Sequence, residues 1–204
     1  MIISFSGLDG SGKTTLSRWL YVRLFQEHIP VTYVHLQNFS LFGKIGRLLD
    51  KSFPFLRKGI EDIEFSKKRS FKKKTFSFFR KASYLFDVVV FSLYAFFSGK
   101  KRVFICDRYF YDLAVQSMYL EMFDNKFSDY YLSLIPLPDI AIFLEISPKE
   151  ALQRSQEKNL EFHNVKNSLY HRILKKYSFT HLKNTKLETT QKKILDSFFS
   201  LYRH

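Results

Sequence analysis

Gly7-Leu8-Asp9-Gly10-Ser11-Gly12-Lys13-Thr14 stands between an apolar run, Ile2 to Ser6, and a segment in which Leu16, Trp19, Leu20 and Leu24 recur at helical spacing until Pro30 stops them. Strand, glycine-rich loop, helix is the context in which G-x-x-x-x-G-K-[ST] binds phosphate, and every fixed position of that pattern is met. The glycines let backbone N–H groups wrap an anion, and the helix that begins near Lys13 points its positive end at the same place. Lys13 reaches β/γ oxygens, and Thr14 supplies a hydroxyl for Mg²⁺. The residues expected to hold nucleotide are therefore Gly7, Asp9, Gly10, Ser11, Gly12, Lys13, Thr14 and the adjoining Thr15.

Further along, strands and helices alternate. Val31 to Leu36 is rich in β-branched and aromatic residues, and Arg102 to Cys106 is an apolar strand closed by Asp107. Ile140 to Ile146 is almost continuously apolar, as a strand covered on both faces should be, and a weak strand follows at Phe179 to Lys183. Helices are expected at Asp112 to Met122, Phe127 to Leu134, from Ser147-Pro148 onward, from about Asn164 to Tyr177, and from Leu187 to Tyr202. The pattern predicts an α/β fold: a three-layer P-loop NTPase fold with a parallel sheet of about five strands and right-handed crossovers. At 204 residues with 46% hydrophobic content, one domain over 1–204 is expected, with a core of its own.

Composition narrows the partners. The chain carries 33 Lys and Arg against 19 Asp and Glu, a net charge of +14, so an anionic partner is expected: a nucleotide, nucleic acid or an anionic membrane. Eleven basic and only three acidic residues fall between Lys51 and Lys81, more than half of the excess. The single cysteine, Cys106, and an opening without a charged leader predict a cytoplasmic protein. The longest apolar stretch, Tyr84 to Ser98, contains Asp87 and falls short of the roughly 20 residues needed to span a bilayer, so it reads as a buried helix. The six histidines lie too far apart in sequence to suggest a metal cluster.

Asp107, a carboxylate at a strand end, is the group a P-loop protein uses to hold Mg²⁺ from across the sheet, together with Thr14. Arg108, directly after it, sits at the carboxyl edge beside the γ-phosphate, where it would clamp an acceptor phosphate or make an ordinary surface ion pair. The run Asp107-Arg108-Tyr109-Phe110-Tyr111-Asp112-Leu113-Ala114-Val115-Gln116 resembles the strand-end motif of the thymidylate kinase-like branch of P-loop nucleoside monophosphate kinases. Pro138-Asp139, the strand Ile140 to Ile146, and Pro148-Lys149-Glu150-Ala151-Leu152-Gln153-Arg154 look like the same family's run into its lid. The likeness covers about three quarters of the chain.

The resemblance implies Mg²⁺-ATP-dependent phosphoryl transfer to a nucleoside monophosphate, with dTMP the family default and a homodimer as a further expectation. It implies that Arg154 begins a mobile lid over about 153–164, so that Arg154 and Lys158 face the transferring phosphoryl. It also implies that Asp9 reaches toward the acceptor's sugar hydroxyl. The expected catalytic set is Lys13, Arg108 and Arg154, with ATP and Mg²⁺ as cofactors. Two places depart from the family. The helix expected at Tyr84 to Ser98, where the family carries an arginine, a nearby polar residue and a stacking Phe that hold dTMP, is almost wholly apolar with Asp87 its only charge, and His35-Leu36-Gln37-Asn38-Phe39 stands where an acidic-arginine pair is usual. These departures keep two other readings open, a kinase of a non-nucleotide metabolite and a degenerate P-loop protein that binds nucleic acid or membrane through its basic surface. Asp87 would either face the acceptor pocket or pair within the core. The basic stretch would either steer anions or present a solvated face with its phenylalanines packed inward.

Overall fold

The structure, a computed structural model, describes residues 1–36, 71–99, 101–155, 159–183 and 187–202, with side chains from residue 80 onward in the helix that begins at Phe71. Five strands, β1 (Ile2–Gly7), β2 (Val31–His35), β3 (Val103–Asp107), β4 (Ile140–Glu145) and β5 (Thr180–Lys183), form one parallel sheet in the order β2-β3-β1-β4-β5. Seven helices are described: α1 (Lys13–Gln26), α2 (Phe71–Phe97), α3 (Phe110–Tyr119), α4 (Asn125–Leu134), α5 (Pro148–Arg154), α6 (Leu160–Leu174) and α7 (Leu187–Tyr202).

Side chains alternate between the two faces of each strand, so one apolar run feeds two cores. Ile3, Phe5, Val103, Ile105, Ile142 and Leu144 pack on one side with Leu16, Leu20 and Leu24 of α1 and Ile194 and Phe198 of α7. Ile2, Phe104, Cys106 and Phe143 point the other way, into a core built with α2, α3, α4 and α6. This second core is strongly aromatic. Phe91 lies edge-on to Phe104, Tyr109 and Phe110, an arrangement that suits the ring quadrupoles.

Three expected elements are corrected. The helix predicted at Tyr84 to Ser98 is the later part of a longer one that begins at Phe71, because no Gly or Pro interrupts residues 71–98 and the lysines at its start are good helix formers. It is not buried all round, since Tyr84, Asp87, Val88 and Phe91 face the core while Phe86, Val89, Leu93, Phe96 and Phe97 are exposed. No described helix is long and apolar enough to cross a membrane. The helix predicted from Asp112 begins at Phe110, where the Asp112 carboxylate accepts from the Tyr109 N–H and caps the turn. The helix predicted from Asn164 begins at Leu160, because the Asn159 side chain caps it by accepting from the Glu161 N–H.

Most of the basic stretch, including Lys67 and Lys68, lies outside the described residues, as do the short helices expected at Leu41 to Leu56. Its last two cations are described, and both have structural partners. Arg80 stacks over and donates to Tyr84, while Lys81 pairs with Asp124 and sits over the Phe127 ring.

Candidate active site

Strand register brings the functional ends together. Phe5 and His35 both pair with Asp107, and Gly7 pairs with Leu144, so β1, β2, β3 and β4 deliver their carboxyl ends to one edge. Gly7, Gly10 and Gly12 all have positive φ, a conformation that costs a side-chain-bearing residue. At Gly10 there is also no room: an added Cβ would meet the Ala151 carbonyl oxygen at 2.9 Å and the Arg154 Cβ at 3.2 Å. The tip of the loop therefore lies directly against the end of α5, which brings Arg154 beside the loop even though its side chain is exposed.

Lys13 is buried, and its ammonium donates to the carbonyls of Gly7 (2.6 Å) and Leu8 (2.7 Å), lying across the loop that carries it. Burial pushes its pKa down to about 8, partly countered by the Asp112 carboxylate. Thr14 donates to Asp107 Oδ2 at 2.8 Å, and Tyr33 Oη donates to the same oxygen at 2.9 Å. His35 Nε2 lies 3.8 Å from Asp107 Oδ2, with burial holding its pKa below the usual imidazole range. The other oxygen, Asp107 Oδ1, is buried and has no hydrogen-bond partner among the described residues. A buried carboxylate oxygen left unpaired beside a threonine hydroxyl is a hard-oxygen donor set with capacity for a divalent cation, so the residues fit Mg²⁺.

Arg108 has φ of +62°, a left-handed conformation that costs a non-glycine residue about 1–2 kcal/mol. That turn aims its guanidinium back at the loop, where it meets Asp9 Oδ1 at 2.6 Å. The surface ion pair considered for Arg108 is thus a partly buried one inside the site. Asp9 also receives Lys166 on Oδ2 at 3.1 Å and has Lys13 at 3.9 Å. Burial alone would raise the Asp9 carboxyl, but Lys13, Lys166 and Arg108 together hold it far below the ordinary carboxylate range. Behind this group, the buried Asp112 accepts from Ser6 Oγ (2.6 Å), the Tyr109 N–H (2.9 Å) and Tyr170 Oη (2.7 Å), which ties β1, α3 and α6 together.

Of the residues predicted from sequence, Gly7, Asp9, Gly10, Ser11, Gly12, Lys13, Thr14, Asp107 and Arg108 converge, and Arg154 borders them. Thr15 is exposed at the start of α1, and Lys158 lies outside the described residues. Asp87 is buried on the inner face of α2, near enough to Tyr131 to act on its phenol.

Over residues 5–201 the chain matches the family model described as thymidylate kinase. The chain belongs to the thymidylate kinase family. It is 26% identical over 190 residues to "Probable thymidylate kinase" of Sulfolobus acidocaldarius, covering 91% of this chain and 85% of that protein. It is also 26% identical over 163 residues to "Thymidylate kinase" of Onion yellows phytoplasma, covering 77% of this chain and 69% of that one. Family membership makes the protein a nucleoside monophosphate kinase. Lys166, Tyr33 and Asp112 are site residues that sequence reasoning did not single out. For Lys166 a signal existed: it shares the spacing 163, 166, 170, 173 with His163, Tyr170 and Ile173, the buried stripe of α6, where a lysine is out of place unless paired.

Proposed function

We propose that this kinase transfers the γ-phosphoryl group of Mg²⁺-ATP to the phosphate of dTMP, giving ADP and dTDP. The observation that carries the reading is the single turn Asp107-Arg108, which places a carboxylate against Thr14 and a guanidinium against Asp9 on two sides of one phosphate-binding loop. A cation for the acceptor and an anion for the metal are then held a residue apart, which is what in-line transfer between two anionic groups requires.

Lys13 and the loop N–H groups hold the β- and γ-phosphates. Thr14 and Asp107 hold Mg²⁺, which when bound supplies neutralising charge to the phosphate oxygens. Arg108 orients the acceptor phosphate, and Asp9 reaches the acceptor's sugar hydroxyl from the same loop. Arg154, carried against Gly10 by α5, supplies positive charge to the transferring phosphoryl. No general base is required, because the attacking phosphate oxygen is already ionised. A cytoplasmic location accords with the buried, lone Cys106 thiol.

An acceptor screen tests the assignment. With Mg²⁺-ATP present, ADP release should depend on added nucleoside monophosphate and be fastest with dTMP. ADP release that no nucleoside monophosphate stimulates would contradict it.

A further inference from the structure

Lys166 occupies an unusual place for a lysine. It lies on the inward stripe of α6, buried, with its ammonium 4.0 Å over the Phe162 ring and 3.1 Å from Asp9 Oδ2. Its partner carboxylate already receives Arg108 at 2.6 Å on Oδ1, with Lys13 3.9 Å from that same oxygen. Three cations thus crowd one carboxylate within 4 Å, and Asp112, which offsets their charge from behind, has its oxygens committed to Ser6, Tyr109 and Tyr170. A pair between one lysine and one aspartate needs no such company. Three cations gathered on one carboxylate at the mouth of the loop suit a group that brings negative charge of its own.

The two oxygens of Asp9 separate the cations by role. Lys13 and Arg108 share the Oδ1 side, and Lys166 holds Oδ2. Asp9 acts as a spacer between Arg108 on Oδ1 and Lys166 on Oδ2.

We propose that Lys166 and Arg108 form a two-cation clamp for the phosphate of the acceptor nucleotide, with Asp9 holding both in place. This rests on the kinase reading above and adds to it a residue from α6. An ammonium held by an aromatic face and a carboxylate is preorganised, so its charge is available to an arriving phosphate without first being ordered.

The test compares wild type with Lys166→Met and Lys166→Arg, measuring KM for dTMP, KM for ATP, and inhibition by thymidine, which has the sugar and base of dTMP but no phosphate. Lys166→Met should raise KM for dTMP by about tenfold or more while KM for ATP and the thymidine inhibition constant stay within about twofold. Lys166→Arg should recover most of the loss, which a purely packing role would not allow. If thymidine binding weakens as much as dTMP binding, Lys166 serves only to hold Asp9 for the sugar, and the clamp is wrong. A parallel rise in KM for ATP, or no change in KM for dTMP, would overturn it equally. If the wild type uses another nucleoside monophosphate, that nucleotide and its nucleoside take the places of dTMP and thymidine. Failure of the wild type to phosphorylate any of them defeats the kinase reading itself, an outcome visible before any variant is compared.

Discussion

Arg108 adopts a left-handed conformation to face the phosphate-binding loop, and a strained arginine is retained only where its direction matters. Arg108→Ala should therefore cost roughly 2–4 kcal/mol in kcat/KM for the acceptor, with a smaller effect on KM for ATP. Steady-state kinetics with each substrate varied will separate the two, and an equal loss on the ATP side would assign Arg108 to the nucleotide. Lys13 carries a different signature. Burial lowers its pKa to about 8, so in the free enzyme its charge is lost as pH rises through that value. Since kcat/KM reports the free enzyme, kcat/KM for ATP should fall above about pH 8, while kcat, measured with polyphosphate anions beside the ammonium, should hold to higher pH. A kcat/KM that stays flat to about pH 9.5 would contradict this.

At the scale of elements, the loop and its flanking strand and helix were legible because glycine, lysine and threonine at fixed spacing have few other uses. Helix α2 was only half legible. The apolar run at Tyr84 to Ser98 marks a helix, but hydrophobicity alone does not say how many sides are covered, and the lysine-rich residues before it resemble a loop as much as a helix start. The packing now separates its faces. Phe91 is fully buried among aromatic rings, so Phe91→Ala should destabilise the fold by about 3–5 kcal/mol. Phe97 is 78% exposed, and Phe97→Ala should change stability by no more than about 0.5 kcal/mol. Urea unfolding of both variants checks the orientation of the helix, and similar losses at the two positions would contradict it.

In the whole molecule, the sheet gathers residues that sequence keeps far apart: Asp9 from the first loop, Arg108 from the third strand and Lys166 from a late helix meet within 4 Å. The positions of the five strands and the site's first half followed from local patterns, whereas the strand order β2-β3-β1-β4-β5 did not. Lys166 did not, because its role depends on which face of α6 meets the loop, and that is decided by the packing of α6 on α3. The central claim is that these converging groups move a phosphoryl group from one nucleotide to another, with Lys13 indispensable. Following the γ-³²P label of ATP tests it most directly. Wild-type protein with Mg²⁺ and dTMP should place the label in dTDP, while Lys13→Ala, with an unchanged far-UV circular dichroism spectrum, should place none there. Label released only as inorganic phosphate, or label in dTDP at the wild-type rate without Lys13, would contradict the account.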